Sequence, residues 1–280
     1  MTLNEFNTPI LNGIFFNRII LPYNLTQFKK YINTYHLDYL KYLYYMCILK
    51  AEGDYPENIT LIEIMNGFNN AKNIKPIISK ILIGEAPPPN YVNYFYNINS
   101  SWNIKDGIPS KGQAWTSSIK NALFPNEIFL TKIDFLKKCA KNGFLLLDLF
   151  SFNINYSGKR SNKGYKLSCI DGFCNYPNNV LNKLNLIELF ICNKFSIGFA
   201  MKSFGEIILQ DENCLSQFNN WLVSNGLSII PPGTLNLYRE IQVDGASNYV
   251  RVCYKGGSNG GGPMAPSSIL MNLSGIGPCL

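Results

Sequence analysis

The chain has 280 residues, 25 Lys+Arg against 18 Asp+Glu for a formal charge of +7, and is 46% hydrophobic and 15% charged. That apolar share supports one substantial core and excludes a disordered chain. No unbroken apolar run, Tyr42–Leu49 included, approaches the roughly 20 residues of a membrane span, and the N-terminus MTLNEFNTPI has no basic stretch leading into an apolar one. The expectation is a soluble, cytoplasmic protein without a signal peptide.

In chain order, residues 24–51 predict a helix, because Phe28, Tyr31, Tyr35, Tyr39 and Tyr42 recur at three- and four-residue spacing with no internal Gly or Pro. A second helix is expected from Ile59 to Asn66, closed by Gly67. Ile81-Leu82-Ile83 then reads as a buried strand ending in Gly84. Lys132 to Lys141 is amphipathic, with Ile133, Leu136 and Ala140 on one face, and Asn142-Gly143 supplies a left-handed stop. Phe144 to Leu149 is a second apolar strand, Val180 to Cys192 a helix, Phe195 to Met201 a third strand, and Phe218 to Ser224 a helix. Tyr249 to Tyr254 is the last strand, opening onto the Gly-rich stretch 255–263. Helices alternating with short, two-sided apolar strands predict a three-layer α/β/α sandwich with a central, mainly parallel four-stranded sheet, plus N-terminal helices. The domains are expected as an N-terminal helical extension over 1–74 and an α/β/α domain over 75–280.

Several chemistries are excluded early. His36 is the only His and lies on what reads as an apolar helix face, so Ser-His-Asp, Cys-His and His-metal sites lack their central residue. Eight cysteines contain no CxxC and no neighbouring His, which predicts free, mostly buried thiols and no bound metal. No GxxxxGK[ST] occurs and no GxGxxG follows the first strand, so phosphoryl transfer and dinucleotide binding have no support. The basic charge admits a polyanionic partner without requiring one. Asn occurs 36 times and only four residues are Arg, a usage that follows AT-rich coding, so single Asn and Lys residues carry little weight.

Ligands of parallel sheets bind outside the carboxyl ends of the strands. Those ends are Gly84-Glu85-Ala86-Pro87, Asp148, Met201-Lys202 and the 255–263 loop. Ile81-Leu82-Ile83-Gly84-Glu85-Ala86-Pro87-Pro88, followed by Tyr94-Phe95-Tyr96-Asn97, resembles the first active-site motif of the uracil-DNA glycosylase superfamily. There a strand ends in a Gly-(Gln/Glu)-(Asp/Ala/Asn)-Pro loop, and an aromatic some ten residues later stacks on the extruded base. Lys138 to Asp148 is similar to the second motif, a helix, an Asn/Gln-Gly turn and a Leu-rich strand ending in the residue that reads the base edge. The resemblance covers roughly residues 75–275. It departs at the third motif, where a His-Pro-Ser should fall near Lys255–Pro263 and no His is present, and at Ala86, where the best-known members carry Asp.

The resemblance implies a DNA glycosylase that needs no metal or organic cofactor, acts on double-stranded DNA as a monomer, and flips its target base before cutting it. Glu85 and Asp148 are the implied catalytic and base-reading carboxylates, and Gly84, Ala86, Pro87, Tyr94 and Phe95 the base pocket. Pro88, Lys202, Lys255, Gly257, Ser258 and Asn259 are the implied DNA contacts, the proline run stiffening its loop and the glycines letting backbone N–H groups approach phosphate. Uracil-excising members commonly place Asn at the position of Asp148. An ionised Asp offers acceptors only and suits the exocyclic amine of a cytosine. Because plain cytosine is the host's own base, the expectation is a modified cytosine, hydroxymethylated or glucosylated, in phage DNA, and hence an antiviral role. The small Ala86 leaves room for the added group. The alternatives are repair of uracil or another deaminated base, a non-catalytic DNA-binding module on the same fold, and a hydrolase of free nucleosides.

Overall fold

Two segments too apolar to face water set the middle of the fold. In the computed structural model, which describes residues 25–72, 74–88, 90–100, 102–103, 108–109, 114–151, 163–175, 179–200, 202–226, 240–244 and 249–253, β1 (Ile78–Gly84) and β4 (Phe144–Asp148) are buried along their whole length. They pair in parallel, Lys80 opposite Phe144 through to Gly84 opposite Asp148. β5 (Ile191–Phe199) pairs in parallel with the other edge of β1, giving the order β4-β1-β5. β7 (Tyr249–Cys253) lies beside β5 and pairs antiparallel with β6 (Glu240–Asp244). The result is the expected α/β sandwich with a mostly parallel four-stranded open sheet and N-terminal helices. A two-residue ladder, β2 (Trp102–Asn103) with β3 (Ile108–Pro109), stands apart from it.

The helices form two groups. α1 (Leu25–Cys47) packs on α2 (Leu61–Asn70) and on α4 (Lys132–Lys141), while α3 (Ala114–Leu123) meets β3. On the other side of the chain α5 (Lys163–Ile170), continued by a π-helical turn at Asp171–Asn175, packs on α7 (Lys202–Gln210), and α7 on α8 (Glu212–Ser224). α6 (Val180–Leu186) touches the π-turn. No helix among the described residues is long and apolar enough to cross a membrane.

Local chemistry explains the boundaries. Thr60 and Glu63 make a reciprocal capping box at the start of α2. Thr131 caps α4, and Gly143 at φ +68° ends it in the left-handed region, as the sequence predicts. A Cβ at Gly143 would sit 2.4 Å from the Ile77 carbonyl oxygen, so the turn into β4 also needs glycine for space. Gly67 does not close α2. It lies inside the helix, where a Cβ would meet the Tyr44 ring at 2.3 Å, and so serves the close approach of α1. The expected helix over Val180–Cys192 stops at Leu186, and β5 begins at Ile191, because the Ile77 amide bonds the Phe190 carbonyl and Ile78 pairs with Ile191. α3, α5, α7 and β6 are elements beyond those expected from the sequence.

α1 belongs to the same core as the sheet, so the core runs across the boundary expected at residue 74. Tyr35, Tyr39 and Tyr42 are at most 2% exposed. The Tyr42 hydroxyl donates to the Phe144 carbonyl, and Tyr39 meets Tyr96 edge-on at 5.2 Å. His36 is buried on α1, on the apolar surface the sequence indicates. Cys47, Cys139, Cys169, Cys174 and Cys214 are buried free thiols as expected, whereas Cys192 departs from that expectation by being disulfide-bonded.

Lys132, at the start of α4, is 1% exposed. Its ammonium lies 5.3, 5.9 and 5.6 Å from the ring centroids of Phe95, Trp102 and Phe135 and 3.4 Å from Thr116 Oγ1. Burial pulls its pKa down to about 7, against an opposing pull from Cys139. An amine whose pKa falls on folding leaves the unfolded chain binding more protons between the two values, so stability rises with pH from about 7 upward. Lys132→Met removes that charge without emptying the site. It is expected to stabilise the protein by about 1 kcal/mol or more near pH 6 and to flatten the rise above pH 7, measured by denaturant unfolding. Equal destabilisation at every pH would instead make the amine a required donor.

Candidate active site at the carboxyl ends of the strands

The register of β1 against β4 delivers the two predicted carboxylates to one edge. Gly84 is opposite Asp148, and the pairing continues past the strands: the Leu149 amide bonds the Gly84 carbonyl at 2.8 Å and the Phe150 amide bonds the Glu85 carbonyl at 2.9 Å. On the β5 side the Ala200 amide bonds the Ile83 carbonyl at 2.8 Å. The first residues of each loop are therefore fixed by main-chain bonds, and Glu85 and Asp148 inherit their places from them. Gly84 is required by proximity, since a Cβ there would lie 2.6 Å from Asp148 Oδ1.

The site is rich in charge that has left water. Asp148 is 6% exposed. Burial pushes its carboxyl up to about 7, the Lys183 ammonium acts to lower it, and Glu85 acts to raise it. Glu85 is half-buried and accepts a hydrogen bond from the Tyr165 hydroxyl. Lys183, on α6, is 0% exposed; its ammonium donates to the Asp148 main-chain carbonyl at 3.0 Å and to Ser151 Oγ at 2.8 Å. Its pKa falls to about 7 because burial outweighs the attraction of Asp148. Chemically, the edge offers one carboxyl able to change protonation near neutral pH, a second one held by a phenol, and a buried ammonium.

Other predicted residues are placed differently from expectation. Phe95 is 4% exposed, with its ring edge-on to Tyr96, Phe135 and Phe144 at 4.9–5.8 Å. It is a core residue, because the rings of α4 and β4 offer it an apolar seat, and it presents no open face on which a base could stack. Tyr94 is 1% exposed and packs edge-on to Tyr35 at 4.7 Å and to Tyr96 at 5.6 Å. Its hydroxyl makes no hydrogen bond among the described residues, and Asp148 is among the charges that raise its pKa. Nor does Asp148 stand open at the strand end. Ala86 and Pro88 are half-buried and Pro87 is buried, and the Tyr35 hydroxyl holds the Pro88 carbonyl at 2.8 Å. Lys202 opens α7, but its side chain lies outside the described residues, as do Lys255, Gly257, Ser258 and Asn259.

Lys183, Tyr165 and Ser151 belong to no motif or strand end in the sequence. Lys183 left a signal, a lysine three residues after Val180 and one before Leu184 on a stripe that continues to Ile187, but in so Lys-rich a chain it reads as composition. Away from this edge, a cleft of about 370 Å³ between α6 and α8 is lined by nine uncharged residues, Asn179, Asn182, Gln217 and Trp221 among them. It holds neither carboxyl nor amine. No protein-family model, curated protein or solved structure matches the chain.

Gly84→Ala puts a methyl group onto Asp148 Oδ1. The expected cost is about 1–3 kcal/mol, measured by denaturant unfolding, and most of it should disappear in the double variant with Asp148→Gly. Additive losses would show that the two residues do not touch.

Proposed function

We propose that the chain is a DNA glycosylase that flips a base out of the duplex and hydrolyses its N-glycosidic bond, leaving an abasic site. The observation that carries this reading is the juxtaposition of Glu85 and Asp148 at the ends of adjacent parallel strands, set by the Gly84–Asp148 register. N-glycosidic cleavage passes through an oxocarbenium-like state, which a carboxylate stabilises while it positions water. Glu85 is the group for that task, oriented by Tyr165. Asp148 reads the base edge in this proposal, which requires the strand end to open, since its carboxyl is 6% exposed as the site stands. The +7 charge supports a polyanionic substrate.

The target base in this reading is a modified cytosine, hydroxymethylated or glucosylated, in foreign DNA, recognised through its exocyclic amine by ionised Asp148. A second reading, excision of uracil or another deaminated base, is favoured by one observation, the rise of Asp148 to about 7. A protonated Asp148 donates to a carbonyl, which uracil has and cytosine lacks at that position. The two readings have opposite pH signs. Recognition of an amine needs the ionised carboxyl, so base release rises with pH through about 7; recognition of a carbonyl needs the proton, so release falls over the same interval.

Oligonucleotide duplexes carrying uracil, hypoxanthine, 5-hydroxymethylcytosine or its glucoside test both. Alkali-labile abasic sites are expected in the modified-cytosine duplexes, with release rising across neutral pH. Asp148→Asn should slow release about 10- to 200-fold, the scale of one hydrogen bond of roughly 1.5–3 kcal/mol to a charged group, and Ala86→Tyr should exclude the glucoside before the smaller bases. If no duplex is cut and Glu85→Gln and Asp148→Asn bind DNA like the parent protein, the chain is a binding module; cleavage of free nucleosides alone would make it a nucleoside hydrolase.

A further inference from the structure

We infer that Lys183 is the positioning residue of this site: by tying the Asp148 carbonyl to the Ser151 hydroxyl it fixes the turn that aims the Asp148 carboxyl, and it supplies the counter-charge of the ionised form. Its catalytic consequence rests on the glycosylase reading; its electrostatic part does not. Three observations converge. The ammonium is 0% exposed, so it cannot be compensated by water. Both of its hydrogen-bond acceptors described above, the Asp148 carbonyl and Ser151 Oγ, lie in the segment that leaves β4, at 3.0 and 2.8 Å. Asp148 and Lys183 also act on each other's protonation, each favouring the charged form of the other.

Ionisable groups from four parts of the fold share an electrostatic influence with Asp148. Lys183 approaches from α6 and Glu85 from the loop after β1. The Tyr39 phenol on α1 and the Tyr94 and Tyr96 phenols in the segment after the β1 loop are held neutral first by burial, with the charge of Asp148 a lesser cause, and the Tyr96 hydroxyl donates to the Leu146 carbonyl at 2.6 Å. Lys183 is thus the cation among these groups, set against one competing carboxylate. Without it, burial and Glu85 both act to keep the proton on Asp148.

The test uses the full chain and reads the Asp148 carboxyl directly by carbon-detected NMR titration, with Asp148→Asn to assign the signal. In Lys183→Met the titration is expected to move up by about one pH unit or more, a tenfold change in the ionisation constant. The pH profile of base release should move by the same amount in the same direction, which a merely structural lysine would not cause. An Asp148 titration unchanged to within a few tenths of a unit overturns the inference. If the titration moves but neither parent nor variant releases any base, the glycosylase reading fails and the charge coupling stands. Should Lys183→Met not fold, K183M/D148N decides, since it removes both charges: recovery of a folded chain supports the pairing, and no recovery contradicts it.

Discussion

Everything at the strand ends depends on the in-register parallel pairing of β1 with β4. Strand residues alternate faces, so a slip of one position would turn Asp148 away from Gly84 and send an apolar neighbour in its place. The register is held at both ends. At the start, the Ser79 and Lys80 amides both bond the Gly143 carbonyl, and Gly143 fits only because it has no side chain. At the finish, main-chain bonds carry the pairing on into Leu149 and Phe150. Between them both strands are buried on both faces, so a slip would expose nothing there and the two ends are what set the register.

That rigid frame lets the protein keep charge where water is absent. Asp148, Lys183, Lys132 and Lys80 are all at most 6% exposed. Each has its pKa moved toward the neutral form by burial. They are compensated differently: Lys132 by aromatic faces, Lys80 by the Asn142 carbonyl at 2.9 Å, and Asp148 and Lys183 by each other. Only the last pair sits at a strand end. A buried carboxyl whose protonation changes near neutrality is costly to maintain in a fold, and its position beside Glu85 is what distinguishes it from the lysines.

Much of this frame was legible in the residues, and the failures have physical causes. α4 matches its expected bounds because its amphipathic period, its Thr131 cap and the Asn142-Gly143 stop agree. The start of β5 differs from expectation because Leu186 to Cys192 is apolar enough for a helix or a strand, and the choice is made by a long-range partner, Ile78, that no local pattern reveals. The resemblance implies a stacking platform at Phe95 and Tyr94, yet the aromatic surface of α1, α4 and β4 competes for the same rings and wins. Glu85 and Asp148 were found through the strand-end rule. Lys183 was not, since its partner is 35 residues away in sequence and its acceptor is a main-chain carbonyl.

The claim that Glu85 and Asp148 act together on a base in DNA meets its most direct test in mass spectrometry of the material released from phage genomes bearing different cytosine modifications. Free modified cytosine, released by the parent protein and lost with Glu85→Gln, is the predicted result. Genomes left intact throughout, or an equal yield from the parent and the Glu85→Gln variant, would contradict it.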